Sequence, residues 1–251
     1  MKNVMVANYR PGSKVTLDQL RKLLDVQIEN SIALGWKPDD VVVVANFSYE
    51  QMGVTATRAG LYERCLRGSK VFAFDFLFRE GMADPDEVYW THDLDAWQNH
   101  WFDCPTFADV GVAEYSRPRF NGGSVFYRHA ARDIVAEVVR QITQAGADKE
   151  EPVLNAVLKL PTYRARVTIL NSTFNVGCSG FVKRYQRATK PVLVCHMHPT
   201  NRIAWDTHVN DRNEIGERAV SPRLMELLVR RFHDGVPPRK LKRDRKQRSR
   251  A

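Results

Sequence analysis

Apolar positions along the first half of the chain follow two different periods, and the change of period predicts where strands and helices lie. Residues 4–9 (VMVANY) and 41–47 (VVVVANF) are short, nearly continuous apolar runs, as in parallel strands that are covered on both faces. Between them a capping box at Thr16 and Gln19 begins a predicted helix, and Gly35 ends it. The apolar residues of that helix share one face: Leu17, Leu20, Leu24, Ile28 and Ile32. The three segments together predict a β-α-β unit.

The rest of the pattern continues the alternation of strands and helices. Residues 55–67 have helical spacing, 69–81 fit either a helix or a strand, and 87–92 (EVYWTH) predict a strand. Later strands are predicted at 109–116, 124–128, 167–170 and 191–198, and helices near 129–145, 152–159 and 222–232. This order predicts an α/β fold, Rossmann-like, with a mostly parallel central sheet and helices on both faces in a single domain.

The composition is that of a globular protein, because 251 residues with 43% hydrophobic content supply a core for one domain or at most two small ones. The longest apolar runs, such as 41–45, are too short to span a membrane, and the first ten residues lack a secretory apolar region. We therefore expect a cytoplasmic protein. The 4 cysteines are far apart without a CxxC pair, which indicates neither a zinc ribbon nor a disulfide framework.

Positive charge is concentrated at the end of the chain. Residues 237–251 contain eight Lys or Arg against one Asp, so they carry +7 of the total charge of +9. We therefore expect a folded domain over 1–236 and a basic tail over 237–251 that is disordered and attracts polyanions such as nucleic acid.

Two aspartates, Asp93 and Asp95, directly follow the predicted strand at 87–92. The carboxyl ends of strands are where open α/β sheets bind ligands, and paired carboxylates suit a hard cation. The alternative is a solvated strand end. The same spacing at Asp84 and Asp86 lies beside Pro and Gly, and there we expect only a local turn.

Three other segments offer candidate ligands, each with a structural alternative. His196 and His198 end the predicted strand 191–198, and imidazole together with carboxylate suits manganese better than calcium. Residues 120–123 (FNGG) allow close approach of a ligand to the backbone, although Asn-Gly between apolar runs by itself favours a hairpin turn. Glu150 and Glu151 precede a short helix and are either catalytic or complement the helix dipole.

Taken in this order, the segments resemble the GT-A fold of nucleotide-sugar glycosyltransferases. The resemblance covers roughly residues 3–206 and rests on the β-α-β start, VYWTHDLDA, FNGG, EEPVLN and the late strand that ends in His. It implies a glycosyltransferase that uses a divalent cation, Mn²⁺ or Mg²⁺, and a nucleoside-diphosphate sugar, UDP-linked by expectation. In this family the acidic pair binds the cation that bridges the diphosphate of the donor.

The resemblance also implies a role for each matching residue. Asp95, Asp93 and His196 would bind the metal, with His198 as the reserve ligand, and Asp93 would also contact the donor ribose. Further donor contacts are implied for Asn8, Tyr9 and Arg10 at the nucleotide base, for Lys70, and for Asn121 and Gly122 at the sugar. Glu150 and Glu151 would contact the donor sugar or act as the general base for the acceptor. The family's usual KPW-like segment is replaced by HMHPTNRIAWD, where Arg202 would take the place of the lysine.

The basic tail is the feature that bears on the acceptor. Eight cations can hold an enzyme near nucleic acid, which favours DNA that carries a hydroxylated or hydroxymethylated pyrimidine, as in the bacteriophage enzymes that this compact chain resembles. Trp97 and Trp101 could stack on such a base, but core packing is the favoured role.

Three alternatives stay open from the sequence. The acceptor could be a protein or a surface glycan. The chain could be a metal-dependent nucleotidyltransferase, although its Gly68-Ser69 pair is poorly placed for that reaction. It could also be a non-catalytic nucleic-acid binder. Retention and inversion of the anomeric configuration are both compatible with the acids present.

Overall fold

The first two strands and the helix between them form the β-α-β unit that the hydrophobic pattern predicts. The computed structural model of the protein describes residues 1–61, 65, 69–116, 119–177, 181–197 and 219–235. β1 (Lys2–Ala7) pairs in parallel with β2 (Val41–Ala45), and α1 (Leu17–Ala33) joins them. The side chain of Thr16 accepts the N–H of Gln19 while the Gln19 side chain accepts the N–H of Thr16, which confirms the capping box.

Shorter and longer strands follow this unit along the described chain. β3 (Glu50–Gln51) and β4 (Val54–Thr55) form a small antiparallel hairpin. The later strands are β5 (Thr57–Arg58), β6 (Val88–His92), β7 (Ala96–Gln98), β8 (Val110–Ser116), β9 (Arg119–Arg128), β10 (Val167–Leu170), β11 (Val176–Gly177) and β12 (Val194–His196).

Seven of these strands form the central sheet, in the order β10-β8-β9-β6-β1-β2-β5. β9 runs antiparallel to both of its neighbours, and the remaining pairs of the sheet are parallel. The mostly parallel sheet predicted from the apolar runs is therefore confirmed. Because β1, β2 and β6 point the same way, their carboxyl ends meet at one edge of the sheet.

Helices cover both faces of the sheet. The helices after α1 are α2 (Ser69–Arg79), α3 (Arg132–Ala145), α4 (Glu150–Val157), α5 (Pro161–Arg164), α6 (Phe181–Arg187) and α7 (Pro222–Phe232). Val4 and Val6 of β1 face a core that includes residues of α2 and α3, whereas Met5 and Ala7 face a core that includes Leu24 and Ile28 of α1. Within the described ranges no helix is both long and apolar enough to cross a bilayer.

A second, three-stranded sheet carries part of the site. Its order is β11-β12-β7, with β12 antiparallel to β7. The register places His196 opposite Ala96, so a residue near the end of the chain lies beside the turn that contains Asp93 and Asp95. The two acids and the late histidine, about 100 positions apart in sequence, thus become neighbours.

Two local predictions differ from the structure. The helix predicted over 55–67 is absent from 55–61: β5 pairs in parallel with Val44 and Ala45 of β2, and this edge pairing overrides the local helical spacing. Most of the remaining predicted helix, 62–64 and 66–67, lies outside the described residues. The FNGG segment is not a hairpin turn but lies within β9, where Phe120 pairs with Glu114 of β8 and the residues that follow the segment pair with β6. The ambiguous segment 69–81 forms α2, and its buried residues Val71, Phe74 and Leu77 recur every three positions, as a helix requires.

Two further predictions have different outcomes. Asp84 and Asp86 form the expected local turn, because Asp84 Oδ1 accepts the N–H of Asp86 at 2.9 Å. The prediction of a domain over 1–236 and a disordered tail over 237–251 stays a prediction, since the tail lies outside the described residues.

Candidate active site

A tight turn after β6 presents the two aspartates at the carboxyl edge of the central sheet. Ala96 N donates to Asp93 O at 2.9 Å, which closes the turn. The turn is tied to β9 through Asp93 N, which donates to Gly123 O at 3.1 Å, and to β12 through Met197 N, which donates to Asp95 O at 2.9 Å. Asp93 and Asp95 are therefore held by backbone bonds from two sheets.

The side chains of Asp93, Asp95 and His196 converge. His196 Nε2 lies 3.0 Å from Asp95 Oδ1 and 3.7 Å from Asp93 Oδ2, and one candidate ligand atom from each residue lies within 4.8 Å of the other two. The chemistry of this donor set fits Mn²⁺ or Mg²⁺, because two carboxylates and one imidazole are typical ligands of manganese in particular. His198, the reserve ligand, lies outside the described residues, and so does Arg202.

Positive charge lies between the two carboxylates, as their mutual repulsion requires. Burial lowers the pKa of His196, but Asp95 and then Asp93 outweigh burial and raise this pKa to about 9. The imidazole is thus protonated in the protein without a cation, and a metal ion that binds here must displace that proton.

Lys70 supplies a second positive charge from α2. Its Nζ donates to Gly122 O at 2.7 Å and forms an ion pair with Asp93. Burial lowers the pKa of Lys70, yet the nearby carboxylates, Asp93 first and then Glu150, raise it overall, so the ammonium stays charged. The structure therefore places the predicted donor-binding lysine against the predicted metal ligand.

Glu150 is a buried acid at the first turn of α4. Its side chain is 3% exposed, and Oε2 has no hydrogen-bond partner among the residues that the structure describes. Burial raises the pKa of Glu150 to about 7, although Lys70 opposes this shift. A carboxyl group with one uncommitted oxygen can accept a hydrogen bond from a hydroxyl group, or accept its proton.

Asn121 is oriented by two hydrogen-bond donors. Its Oδ1 accepts the N–H of Gly123 at 2.5 Å and the Nδ2 group of Asn175 at 2.8 Å. A Cβ on Gly123 would lie 2.6 Å from Asn121 Oδ1 and 2.8 Å from His196 Nδ1, so this position accepts only glycine without displacement of both side chains. The predicted sugar-contacting residue and the predicted metal ligand are therefore packed against the same glycine.

These residues line a cavity of ≈ 690 Å³, which is large enough for a small ligand. Glu151 and Lys149 lie at it as well, so both predicted catalytic acids face the cavity. The lining residues are Lys70, Asp93, Leu94, Asp95, Asn121, Gly122, Gly123, Lys149, Glu150, Glu151, Pro152 and His196.

The predicted base-binding residues lie apart from this lining. Asn8 is buried, Tyr9 is partly exposed and Arg10 is exposed, all just beyond the end of β1. Asn46, which follows β2, fixes the backbone here: its Oδ1 accepts the N–H of Tyr9 at 2.8 Å, and its Nδ2 donates to Tyr9 O at 2.7 Å. The structure therefore brings the metal-binding and sugar-binding candidates together and leaves the base-binding candidates on a neighbouring strand end.

The two tryptophans considered for base stacking, Trp97 and Trp101, differ in burial. Trp97 is fully buried and donates from Nε1 to Met197 O at 3.0 Å, so the core role is correct for it. Trp101 is 49% exposed and packs against Trp36, with ring centroids 5.2 Å apart.

Sequence reasoning missed three residues that organise the site: Gln27, Asn46 and Asn175. Gln27 lies on the buried face of α1, and a polar residue that interrupts an apolar stripe was the available signal. Asn175 follows a short helical turn at 172–174, where nothing in the local pattern distinguishes it from a cap.

No protein-family model and no curated protein sequence matches the chain. Solved structures do match. The galactosyltransferase LgtC, in complex with donor and acceptor sugar analogs, has a TM-score of 0.56 at 13% identity over 91% of this chain and 95% of that chain. The glycosyltransferase GlyE of Streptococcus pneumoniae TIGR4 has a TM-score of 0.54 at 12% identity over 96% of this chain and 66% of that chain.

A glycosyltransferase involved in the glycosylation of the major capsid of PBCV-1 is also similar, with a TM-score of 0.50 at 14% identity over 78% of this chain and 93% of that chain. At these identities the likeness establishes the fold. The chain has the GT-A fold of glycosyltransferases, as its mostly parallel sheet with β9 reversed also indicates. The fold implied by the sequence resemblance is therefore confirmed.

Proposed function

We propose that the protein is a metal-dependent glycosyltransferase that moves a sugar from a nucleoside-diphosphate sugar, a UDP-sugar by preference, to a hydroxyl group. The observation that carries this proposal is the convergence of Asp93, Asp95 and His196 at the edge of a cavity in a GT-A fold. The similarity to LgtC in complex with donor and acceptor sugar analogs supports it.

The three converging side chains would hold Mn²⁺ or Mg²⁺. A divalent cation there would act as a Lewis acid for the negative charge that develops on a departing nucleoside diphosphate. Lys70 adds a fixed positive charge on the same side of the cavity, next to Asp93. This would explain why two like-charged aspartates lie side by side. They would bind the cation, and the cation would bind the anionic leaving group.

Other side chains would bind and orient the reactants. Asn121 and Gly122 line the cavity where the sugar would lie, and Glu150 and Glu151 would contact its hydroxyl groups or accept the proton of the acceptor. Asn8, Tyr9 and Arg10 would contact the base, and the ring of Tyr9 would stack on it. Asn46 would fix this segment through its two bonds to the Tyr9 backbone.

The test of the metal site is a titration of Mn²⁺ and UDP into the protein. We expect Asp93→Asn, Asp95→Asn and His196→Ala to abolish binding, and a chelator to remove the thermal stabilisation that UDP and Mn²⁺ give together. Asp84→Asn is the matched control, because this aspartate belongs to a second Asp-x-Asp pair that is held in a local turn. Binding that survives in the first three variants would contradict the proposal.

The reaction class needs a second measurement. Product analysis with labelled UDP-glucose and, separately, labelled nucleoside triphosphate distinguishes sugar transfer from nucleotidyl transfer. Release of UDP with sugar on the acceptor supports the proposal. A non-catalytic nucleic-acid binder would show neither product.

For the acceptor we favour DNA with a hydroxymethylated pyrimidine, and the support for it is the charge of residues 237–251. In a duplex the target base must leave the stack to be modified, whereas in a single strand it is accessible. A protein or surface-glycan acceptor is the second candidate, and its support is the similarity to a glycosyltransferase involved in the glycosylation of the major capsid of PBCV-1. The cytoplasmic location expected from the sequence remains part of this proposal.

A variant of the 251-residue chain in which the eight Lys and Arg of residues 237–251 are replaced by Gln separates these acceptors. If DNA is the acceptor, the natural protein binds it with steep salt dependence and transfers label to an oligonucleotide with 5-hydroxymethylcytosine but not to one with cytosine. The neutral-tail protein then loses most of this binding. Transfer to neither oligonucleotide, with transfer to a protein or glycan, favours the second candidate.

A further inference from the structure

Gln27 is a buried polar residue on the face of α1 that packs against the site. Its side chain is 1% exposed, and its Nε2 donates to Leu94 O and to Ala96 O, both at 3.0 Å. Since carbonyl oxygens only accept, the two bonds fix which end of the amide faces the turn. Gln27 therefore bonds the residues immediately before and after Asp95.

With these two bonds, which we call the clamp, every backbone carbonyl from Asp93 to Ala96 is engaged. Asp93 O accepts the N–H of Ala96, and Asp95 O accepts the N–H of Met197, both at 2.9 Å. The other two carbonyls of the turn, Leu94 O and Ala96 O, accept from Gln27 Nε2. The clamp thus completes the bonding of the turn from a helix that contributes no metal ligand of its own.

Buried polar contacts also lie between the backbone of Gln27 and the start of the same turn. Ser31 Oγ donates to Gln27 O at 2.8 Å, and Asn3 Nδ2 donates to Ser31 Oγ at 3.0 Å. His92 lies between Asn3 and the turn, with Nε2 2.9 Å from Asn3 Oδ1 and Nδ1 2.9 Å from Asp93 O. Both oxygens only accept, so the neutral imidazole donates to one of them. The clamp is therefore the direct connection from α1 to the turn, on both sides of Asp95.

A buried amide at position 27 lowers the stability of the fold relative to an apolar side chain, which needs no polar partner. We therefore expect the hydrogen bonds of Gln27 to have a function. The carboxylates of Asp93 and Asp95 repel each other, and a turn with free carbonyls could relax to move them apart. Backbone bonds on both sides of Asp95 oppose that movement.

We propose that Gln27 is a positioning residue that holds the Asp93–Ala96 turn in the conformation in which both carboxylates meet His196 around one divalent cation. This inference rests on the proposed function, since the ion belongs to that proposal. Groups that orient metal ligands without contacting the ion commonly change affinity by 10-fold to 100-fold.

The test compares two volume-conserving substitutions on the same helix. Gln27→Met removes the clamp, and Asn30→Leu removes another fully buried amide, one whose Nδ2 donates to Gln98 O at 2.8 Å, beyond the turn. Mn²⁺ affinity is measured by electron paramagnetic resonance of the free ion, with the unfolding midpoint recorded for each variant. We expect Gln27→Met to bind Mn²⁺ about 10-fold more weakly and Asn30→Leu to bind it like the natural protein.

Equal affinity in Gln27→Met and the natural protein would overturn the inference, and so would equal weakening in both variants. If Gln27→Met does not fold, Gln27→Leu replaces it, because Leu also has no donor and is well tolerated in a helix. The same loss of Mn²⁺ affinity is expected.

Hydrogen exchange without metal separates failure of this inference from failure of the proposed function. The amides of Ala96 and Met197, which bond Asp93 O and Asp95 O, should exchange faster in Gln27→Met but not in Asn30→Leu. If exchange is faster in Gln27→Met but the natural protein does not bind Mn²⁺, the clamp is confirmed. The metal site is then refuted, and the role of Gln27 in metal binding with it. Unchanged exchange together with normal Mn²⁺ binding would refute the role of Gln27 alone.

Discussion

Asn175 donates from Nδ2 to Asn121 Oδ1 at 2.8 Å, and this bond sets what Asn121 offers to a ligand. The N–H of Gly123 donates to the same oxygen at 2.5 Å, so both acceptor sites of that oxygen are used. Asn121 lines the cavity, so the hydrogen-bonding group that it has left for a ligand is its amide NH₂. We therefore expect Asn121 to donate to a hydroxyl oxygen of a bound sugar.

Asn175→Asp should loosen that orientation. A carboxylate at 175 cannot donate to Asn121 Oδ1 and repels it, so the amide keeps one donor, the N–H of Gly123, instead of two. We expect the KM for the sugar donor to rise about tenfold, equivalent to about 1.4 kcal/mol, with Mn²⁺ binding retained. Steady-state kinetics check this, and Asn99→Asp, a change to a buried amide that does not line the cavity, is the control. An unchanged KM would mean that the orientation of Asn121 does not matter to the donor.

Gly123→Ala should disable the metal site. Its Cβ would lie 2.6 Å from Asn121 Oδ1 and 2.8 Å from His196 Nδ1, closer than such atoms approach in proteins, so the imidazole must move. We expect loss of Mn²⁺ binding and a lower unfolding temperature, measured by titration and by thermal denaturation.

Gly122→Ala is the matched control for that change. Its Cβ would meet Glu150 Oε1 at 3.5 Å, an ordinary contact, so the fold and Mn²⁺ binding should persist while the donor KM rises. Equal Mn²⁺ affinities in the two alanine variants would contradict the close packing around Gly123.

Glu150→Gln and Glu151→Gln should differ in kcat. An amide at 150 cannot accept a proton, so loss of a general base there lowers kcat by about 10²-fold to 10⁴-fold, whereas loss of one hydrogen bond to a sugar costs about tenfold. Single-turnover rates with UDP-sugar therefore assign the role of Glu150. A full loss in Glu151→Gln with little effect at 150 would transfer the general-base role to Glu151.

Glu29→Gln should lower the free energy of unfolding, and the size of this effect should depend on pH. Glu29 of α1 pairs with Arg230 and Arg231 of α7. Burial raises the pKa of Glu29, but Arg231 and then Arg230 outweigh it and lower this pKa below its ordinary value of 4.5. The stabilisation is thus complete above pH 4.5 and is lost as the pH falls through the lowered value.

Urea unfolding at neutral and at acidic pH measures this effect. We expect Glu29→Gln to lower the free energy of unfolding by about 1 kcal/mol at neutral pH, with the difference shrinking in acid. Glu80→Gln, at an exposed position just beyond α2, should match the natural protein at both pH values. A difference between Glu29→Gln and the natural protein that stays constant with pH would contradict the assignment.

The sequence was sufficient for the features that local patterns determine. The capping box at Thr16 and the buried run at 41–45 each formed the element predicted, because caps and continuous apolar strands depend on few long-range partners. The segment 55–61 could not be predicted this way, since its strand exists only through pairing with β2.

The residues of the site also differ in whether the sequence could predict them. Asp93 and Asp95 were recognisable from their place after a strand. His196 was one of two candidates at the end of a predicted strand, and the resemblance to a family favoured it over His198. Gln27 and Asn175 act through bonds to residues 67 and 54 positions away, at Leu94 and Asn121. Nothing in a local window records such distant partners.

The register of β12 against β7 has a consequence for the apoprotein. An ion shared by Asp95 and His196 would cross-link the chain reversibly and close a loop of about a hundred residues, as a disulfide does. Supplying or withdrawing that ion would change how firmly the strand that carries His196 is attached to the turn that carries Asp95. Cation supply would then govern the protein's lifetime against proteases as well as its chemistry.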